Sequence, residues 1–214
     1  ESKDQSYVLF TLKQSELKRL LLPVGEYPKE DIRRRAAEAE LPVADKPDSQ
    51  EICFIPDDNY RKFVGERAKP KQGNMVDPTG AVLGRHPGIH SFTVGQRRRL
   101  GLNGNSSKPM YVVKIDPQTN QVVLGSEEEL YRTAFWASRV NFTSGEVARS
   151  PLEVTAKIRY KAAEQPATVT PHGDWAEIRF HQPQRAVTPG QAVVFYSGQE
   201  VVGGGIIELD PPGS

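Results

Sequence analysis

A chain of 214 residues with 37% hydrophobic and 26% charged side chains can bury one large or two small cores, which excludes a peptide hormone and an acidic disordered tail. Its 28 basic and 27 acidic residues leave a net charge of +1, so it is no wholly basic nucleic-acid coat, and any nucleic-acid surface has to be local. No apolar run reaches the roughly 20 residues of a membrane span, and residues 1–5 lack the basic start and apolar middle of a signal peptide, which makes the cytoplasm the expected location.

Leu9, Leu12, Leu17, Leu20 and Leu21 recur at broadly helical spacing and predict one amphipathic helix from about Asp4 to Leu22, stopped by Pro23. A second helix is expected from Pro28, a residue suited to a first helical position, with Ile32, Ala36 and Ala39 on one face and Arg33, Arg34 and Arg35 outside, ending before Pro42. A short helical pattern follows at Asn59 to Arg67. From Pro56 onward Gly and Pro become frequent and apolar residues come in short β-branched or aromatic runs. These predict strands at Ala81–Leu83, His90–Val94, Met110–Ile115 and Gln121–Leu124, with Asp116 to Asn120 as the turn between the last two. Six more are expected at Trp136–Asn141, Leu152–Tyr160, Ala167–Val169, Trp175–Phe180, Ala192–Tyr196 and Val201–Ile207, enough to close a small antiparallel barrel. Ser197-Gly198 supplies a hairpin turn between the last pair. The opening 57 residues are helix-rich and have no strand set of their own, which leads us to expect a preceding segment.

Charge is distributed unevenly: residues 1–57 carry a net −3, 58–128 a net +5 and 129–214 a net −1. In the basic middle, Gly84 to Leu102 gathers arginines, two histidines, a glutamine and glycines, a composition that suits phosphate contacts and equally a turn with solvated arginines. Pro87 and Gly88 oppose the helix that would align His86 and His90 on a metal. Lys157-Ile158-Arg159-Tyr160-Lys161 alternates basic with apolar residues, as a strand facing a phosphate backbone or a charged barrel exterior would. The Gly203-Gly204-Gly205 run follows a strand with no helix after it, which favours close backbone packing over a phosphate cradle. The single cysteine, Cys53, has acidic neighbours that do not promote a thiolate, and it is either buried filler or chemistry. No Walker loop, catalytic triad or convincing carboxylate pair is present.

Ordered motifs across the chain resemble those of the tRNA-specific 2-thiouridylases: Lys3 to Tyr7, Pro23 to Tyr27, Asp48-Ser49-Gln50-Glu51-Ile52-Cys53-Phe54-Ile55-Pro56, Gly88 to His90 with Thr93 to Arg97, Lys157 to Tyr160, and Val187 to Gln191 through Gly203 to Ile207. The resemblance implies an α+β multidomain arrangement. Residues 1–57 would be the helical tail of a Rossmann-like PP-loop catalytic domain, 58–128 a small central β domain, and 129–214 a C-terminal six-stranded antiparallel β-barrel. It also implies the reaction. ATP, with Mg2+ likewise expected, adenylates the C2 oxygen of the wobble uridine in lysine, glutamate and glutamine tRNAs, and a cysteine persulfide then supplies sulfur to give 2-thiouridine. The persulfide carrier falls on Cys53, loaded by a persulfide donor or relay protein, and tRNA contacts fall on Lys3, Asp4, Gln5, Arg159, Tyr160 and Gln191. The family's pyrophosphate loop and its second cysteine, with which the carrier forms a disulfide, have no counterpart in these residues. The chain alone is therefore expected to be inactive, with the ATP site outside it and Cys53 a free thiol. Arg98-Arg99 stand where the family commonly has a Lys-Gly pair, and Pro28 where Thr is usual.

Two other readings stay open on the sequence: a non-catalytic RNA-binding module in which Cys53 only packs, and a translation-factor-like barrel that binds protein partners and shows no salt-dependent tRNA affinity.

Overall fold

The computed structural model describes residues 5–46, 55, 60–68, 70–102, 109–146, 148 and 150–213. Where leucine spacing predicts one helix, the chain makes two short ones, a 3-10 helix at Ser6–Thr11 and a single-turn α-helix α1 at Gln14–Leu17, parted by extended Leu12 and Lys13. A long-range contact causes the break. Asn141 Nδ2 donates to the carbonyls of Phe10 (2.7 Å) and Leu12 (3.1 Å), oxygens that a continuous helix would have offered to residues 14 and 16. Glu16 Oε2 in turn accepts from Lys13 N at 2.7 Å and restarts the helix.

Helix α2, Lys29–Glu38, takes Pro28 as its N-cap. It ends before Pro42 because Glu40 adopts φ +53°, with Glu40 N donating to Ala37 O and Leu41 N to Ala36 O in a Schellman closure. No residue of α2 is buried, and Leu21, Leu22, Val24, Leu41 and Val43 around it are all exposed, Leu21 by 86%. Helix α3, Tyr60–Ala68, follows the expected pattern. Among the described residues no helix is long and apolar enough to cross a membrane.

The central sheet contains β1 (Gly73–Val76), β2 (Val82–His86), β3 (Tyr111–Asp116) and β4 (Gln121–Gly125) in the order β2-β1-β4-β3, with β1 and β4 parallel. Both hairpins are closed by an aspartate. Asp77 Oδ1 accepts from Thr79 Oγ1, Thr79 N and Ala81 N, which holds its carboxyl below the usual range. Asp116 Oδ1 accepts from Gln118 N and Thr119 N in the expected turn. Met75, Val112, Val122 and Leu124 form the core with Phe92. His90 to Val94 is not the expected strand: Ile89–Ser91 is a 3-10 turn, and the chain then folds back so that Gly95 N donates to Val112 O and Val112 N to Gln96 O.

Strands β5 (Tyr131–Phe142), β6 (Leu152–Lys157), β7 (Gln165–His172), β8 (Trp175–Arg185), β9 (Ala192–Ser197) and β10 (Glu200–Glu208) close a barrel in the order β10-β5-β8-β7-β6-β9. All neighbouring pairs are antiparallel. A six-stranded barrel is narrow, so its interior has to mix small and large side chains. Ala137, Ala156, Ala167 and Ala176 supply the small ones, and Phe135, Phe180, Phe195 and Ile178 the large. β6 stops at Lys157 rather than Tyr160, because its pairing with β9 runs out at Lys157 opposite Val194. Barrel and central sheet meet at a small apolar cluster of Tyr111, Leu130 and Ala186 with Val94 and Val113. Ala186 N also donates to Leu130 O at 2.8 Å there.

A candidate RNA interface on the barrel rim

The 3-10 helix Ser6–Thr11 lies as a strap across the outside of the barrel. Phe10, 7% exposed, packs with Val194 and Tyr196 from β9 and lies over Gly204 of β10. Only glycine fits under it: a Cβ at Gly204 would stand 2.7 Å from the Phe10 ring and 2.5 Å from Val193 O. The glycine run therefore serves close packing, as the lack of a following helix suggests.

Tyr7, three residues earlier on the strap, links the rim. Its hydroxyl donates to Ala192 O at 2.6 Å, and its ring meets that of Tyr160 edge-on at 6.1 Å. Burial, with the nearby Tyr196 hydroxyl, pushes the Tyr7 phenol up to about 12, so it stays a protonated donor at any physiological pH. Exposed Gln5 is two residues from Tyr7, and exposed Gln191 directly precedes Ala192. Gln191 is fixed through its backbone, since Ile207 N donates to its carbonyl at 2.7 Å.

Arg159 and Tyr160 sit on a loop, not on the strand that alternation predicts. Arg159 Nη2 donates to Arg185 O and Ala186 O, both at 2.7 Å, and ties the loop to the end of β8. Glu164 fastens its other side, accepting from Thr155 Oγ1 at 2.6 Å and pairing with Lys157 Nζ at 3.2 Å. A loop fixed at both sides can present Tyr160, 40% exposed, as a firm aromatic face. The structure thus joins Tyr160, through Tyr7, to Ala192 at one end of the barrel, with Gln5 two residues before Tyr7 and Gln191 next to Ala192 along the chain, and gives Arg159 a main-chain anchoring contact there. Lys3, Asp4 and Cys53 lie outside the described residues; Ile55, two residues past Cys53, is buried.

Sequence reasoning missed Tyr7, Asn141 and Arg185. Asn141 had a signal, because asparagine is depleted in strand interiors and its presence there asks for a partner. Tyr7 ends the Lys3 to Tyr7 motif without a role of its own there, and Arg185 had no signal short of the fold.

Among the described residues no group of three or more His, Cys, Asp or Glu, His86 and His90 included, is placed to hold an ion. His86 is instead a buried core imidazole, with Nε2 3.2 Å from Asn120 O, its ring edge-on to Phe92 at 5.6 Å, and Nδ1 without a partner among the described residues. Burial pushes its pKa below the ordinary value, offset in part by the Asn120 contact. In the unfolded chain the ring takes up a proton near pH 6.5, earlier than in the folded one. The unfolded state therefore binds more protons as pH falls, and stability drops below about pH 6.5 until the folded pKa is reached. Thermal unfolding between about pH 7 and 5 should show this slope, reduced in His86→Phe; an equal slope in the variant would place the titration elsewhere.

Comparison with known proteins gives three ordered matches. Residues 1–57 match the tRNA methyl transferase HUP domain, 61–126 the tRNA methyl transferase PRC-barrel domain and 132–207 the aminomethyltransferase beta-barrel domain. Over 209 residues the chain is 52% identical to the tRNA-specific 2-thiouridylase MnmA of Carboxydothermus hydrogenoformans, covering 96% of this chain and 57% of that protein. The MnmA of Acetivibrio thermocellus is 49% identical over 211 residues, 97% of this chain and 58% of its own length. That of Halothermothrix orenii is 45% identical over 209 residues, 96% and 58% respectively. The chain thus spans rather more than half the length of the curated relatives it matches.

Proposed function

The chain belongs to the tRNA-specific 2-thiouridylase family, and from that premise we propose that it grips tRNA with the barrel rim and carries the sulfur on Cys53 during ATP-dependent synthesis of 2-thiouridine. Residues 1–57 then form the helical tail of a Rossmann-like domain, 58–128 the central β domain and 129–214 the barrel. The adenylation step, with its ATP and Mg2+, is assigned to none of these 214 residues, so the chain by itself is inactive. The wobble uridines of lysine, glutamate and glutamine tRNAs in the cytoplasm are the substrates, and a persulfide donor or relay protein loads Cys53.

One observation carries the tRNA part of this reading. The Tyr7 contacts to Tyr160 and to Ala192 O join segments far apart in sequence, whose neighbours Gln5 and Gln191 support a shared rim with Tyr160. Amides there can donate to and accept from ribose and base edges, and Tyr160 can stack on an unpaired base. Lys3 and Asp4, which directly precede Gln5 in the sequence, are proposed to join the same contact, while Arg159 adds a cation beside Tyr160.

Titration of labelled tRNA at several salt concentrations tests the rim. The intact protein should bind with affinity that falls as salt rises, and Tyr160→Ala should weaken binding by about 1–3 kcal/mol, the usual worth of one base stacked on an aromatic ring. A parent without salt-dependent affinity, or a Tyr160→Ala variant that binds as tightly as the parent, would sink the proposal.

A further inference from the structure

Resting on the tRNA reading above, we infer that the Arg97-Arg98-Arg99 turn of the central domain contacts phosphodiesters and extends the RNA footprint from the barrel onto a second domain. All three side chains are exposed, and among the described residues none of them has an ion-pair partner. They lie in the segment with the largest positive charge, +5 over residues 58–128.

A merely solvated arginine run needs no ordered backbone, and this one has it. Gln96 N donates to Thr93 O, Gln96 Oε1 accepts from Thr93 N at 3.1 Å, and Gln96 Nε2 donates to Arg98 O at 3.0 Å. Two further bonds between Gly95-Gln96 and Val112 fasten the turn to β3. The backbone is thus ordered before any ligand arrives, which reduces the entropy that phosphate binding would otherwise lose.

The turn also sits beside the barrel rim. Gly95, at φ +89°, packs so closely that a Cβ there would stand 3.1 Å from Ala186 Cβ and 3.6 Å from Arg185 Nη1. Arg185 and Ala186 are the residues whose carbonyls hold Arg159. The arginine turn and the Arg159-Tyr160 loop therefore share one support, and an RNA backbone lying on the rim has a charged surface to continue onto. Arg97 and Arg99 line a recess of about 320 Å3 whose other walls include Leu100, Leu102, Pro109 and Met110. Two guanidiniums beside an apolar wall match a phosphate and its ribose.

Salt dependence of tRNA binding by the intact protein separates phosphate contact from bystander charge. For Arg97→Gln/Arg98→Gln/Arg99→Gln, the plot of log affinity against log salt should be shallower than the parent's by about 2–3, since each phosphate contact contributes roughly 0.7–0.9 to the slope. Replacing all three by lysine should leave the slope near the parent's. If the triple glutamine variant melts early, Arg97→Gln and Arg98→Gln singly should each lower the slope by roughly 0.7–0.9. An unchanged slope in the glutamine variants, with Tyr160→Ala still weakening binding, overturns this inference and leaves the rim reading standing. No salt-dependent binding by the parent overturns both.

Discussion

In the intact protein, Cys53→Ser is expected to reduce 2-thiouridine formation to background while tRNA affinity stays at the parent's level. The reason lies in the leaving group and the carrier. A uridine carbonyl oxygen does not leave until it bears a phosphoryl ester, and adenylation supplies one. On the proposed reading, the terminal sulfur of a Cys53 persulfide would then attack C2, and AMP would depart with the former carbonyl oxygen. A second thiol would next attack the Cys53 sulfur and break the S–S bond, leaving the outer sulfur on the base and Cys53 in a disulfide. Since Cys53 is the chain's single cysteine, that second thiol lies outside these residues. Serine matches cysteine in shape but cannot hold the outer sulfur as a persulfide, so the variant has nothing to transfer. Asp48, Glu51 and Asp57 flank Cys53 in the sequence, and a persulfide is more acidic than a thiol, so it ionises more readily than the bare side chain would. Mass spectrometry of tRNA after incubation with ATP and a persulfide donor reads the outcome. Undiminished product in Cys53→Ser would refute the carrier role, and no product from the parent would favour an RNA-binding module in which Cys53 only packs.

What the sequence made legible follows from the range of the forces involved. All six barrel strands could be read from short β-branched or aromatic runs, some of them alternating, as in Ala167 and Val169 or Ala176, Ile178 and Phe180. Strand β1 could not. Its four residues, Gly73-Asn74-Met75-Val76, include two poor strand formers and hold a central place only through pairing with β2 and β4. The predicted helix over Asp4 to Leu22 shows the opposite failure, a local pattern overruled by Asn141 from the far end of β5. The same holds at the rim. Motifs named Gln5, Arg159, Tyr160 and Gln191, but nothing local showed that Arg159 would spend Nη2 on two backbone carbonyls, or that Tyr7 would join the other three. Pairings across 26 residues, as at Arg159, or 185, as at Tyr7, leave no periodic trace, and those pairings build the site.

Phe10→Ala should detach the strap without unfolding the barrel and thereby weaken tRNA binding. Emptying a buried aromatic site costs about 3–5 kcal/mol, but this one lies between the strap and the outer surface of β9 and β10, away from the barrel's interior Phe135 and Phe195. The loss therefore falls on docking. Released, the strap gives up the Asn141 contacts and the Tyr7 bond to Ala192 O together, since all three need the same placement of residues 7 to 12. Hydrogen exchange should then rise across residues 6 to 12, while the amides of Val193 to Phe195 keep their protection. Tyr160 loses its edge-on neighbour Tyr7 and the segment carrying Gln5 loses its anchor, so tRNA affinity should fall even though Phe10 itself touches no RNA. Phe10→Ala and Tyr160→Ala should also be non-additive, the double variant binding tighter than the product of the two single effects predicts, because the first already disorders part of what the second removes. If the strap exchanges freely in Phe10→Ala yet tRNA affinity is unchanged, the rim does not depend on the strap, and the gathering of Gln5 with Tyr160 and Gln191 is a packing arrangement rather than a binding one.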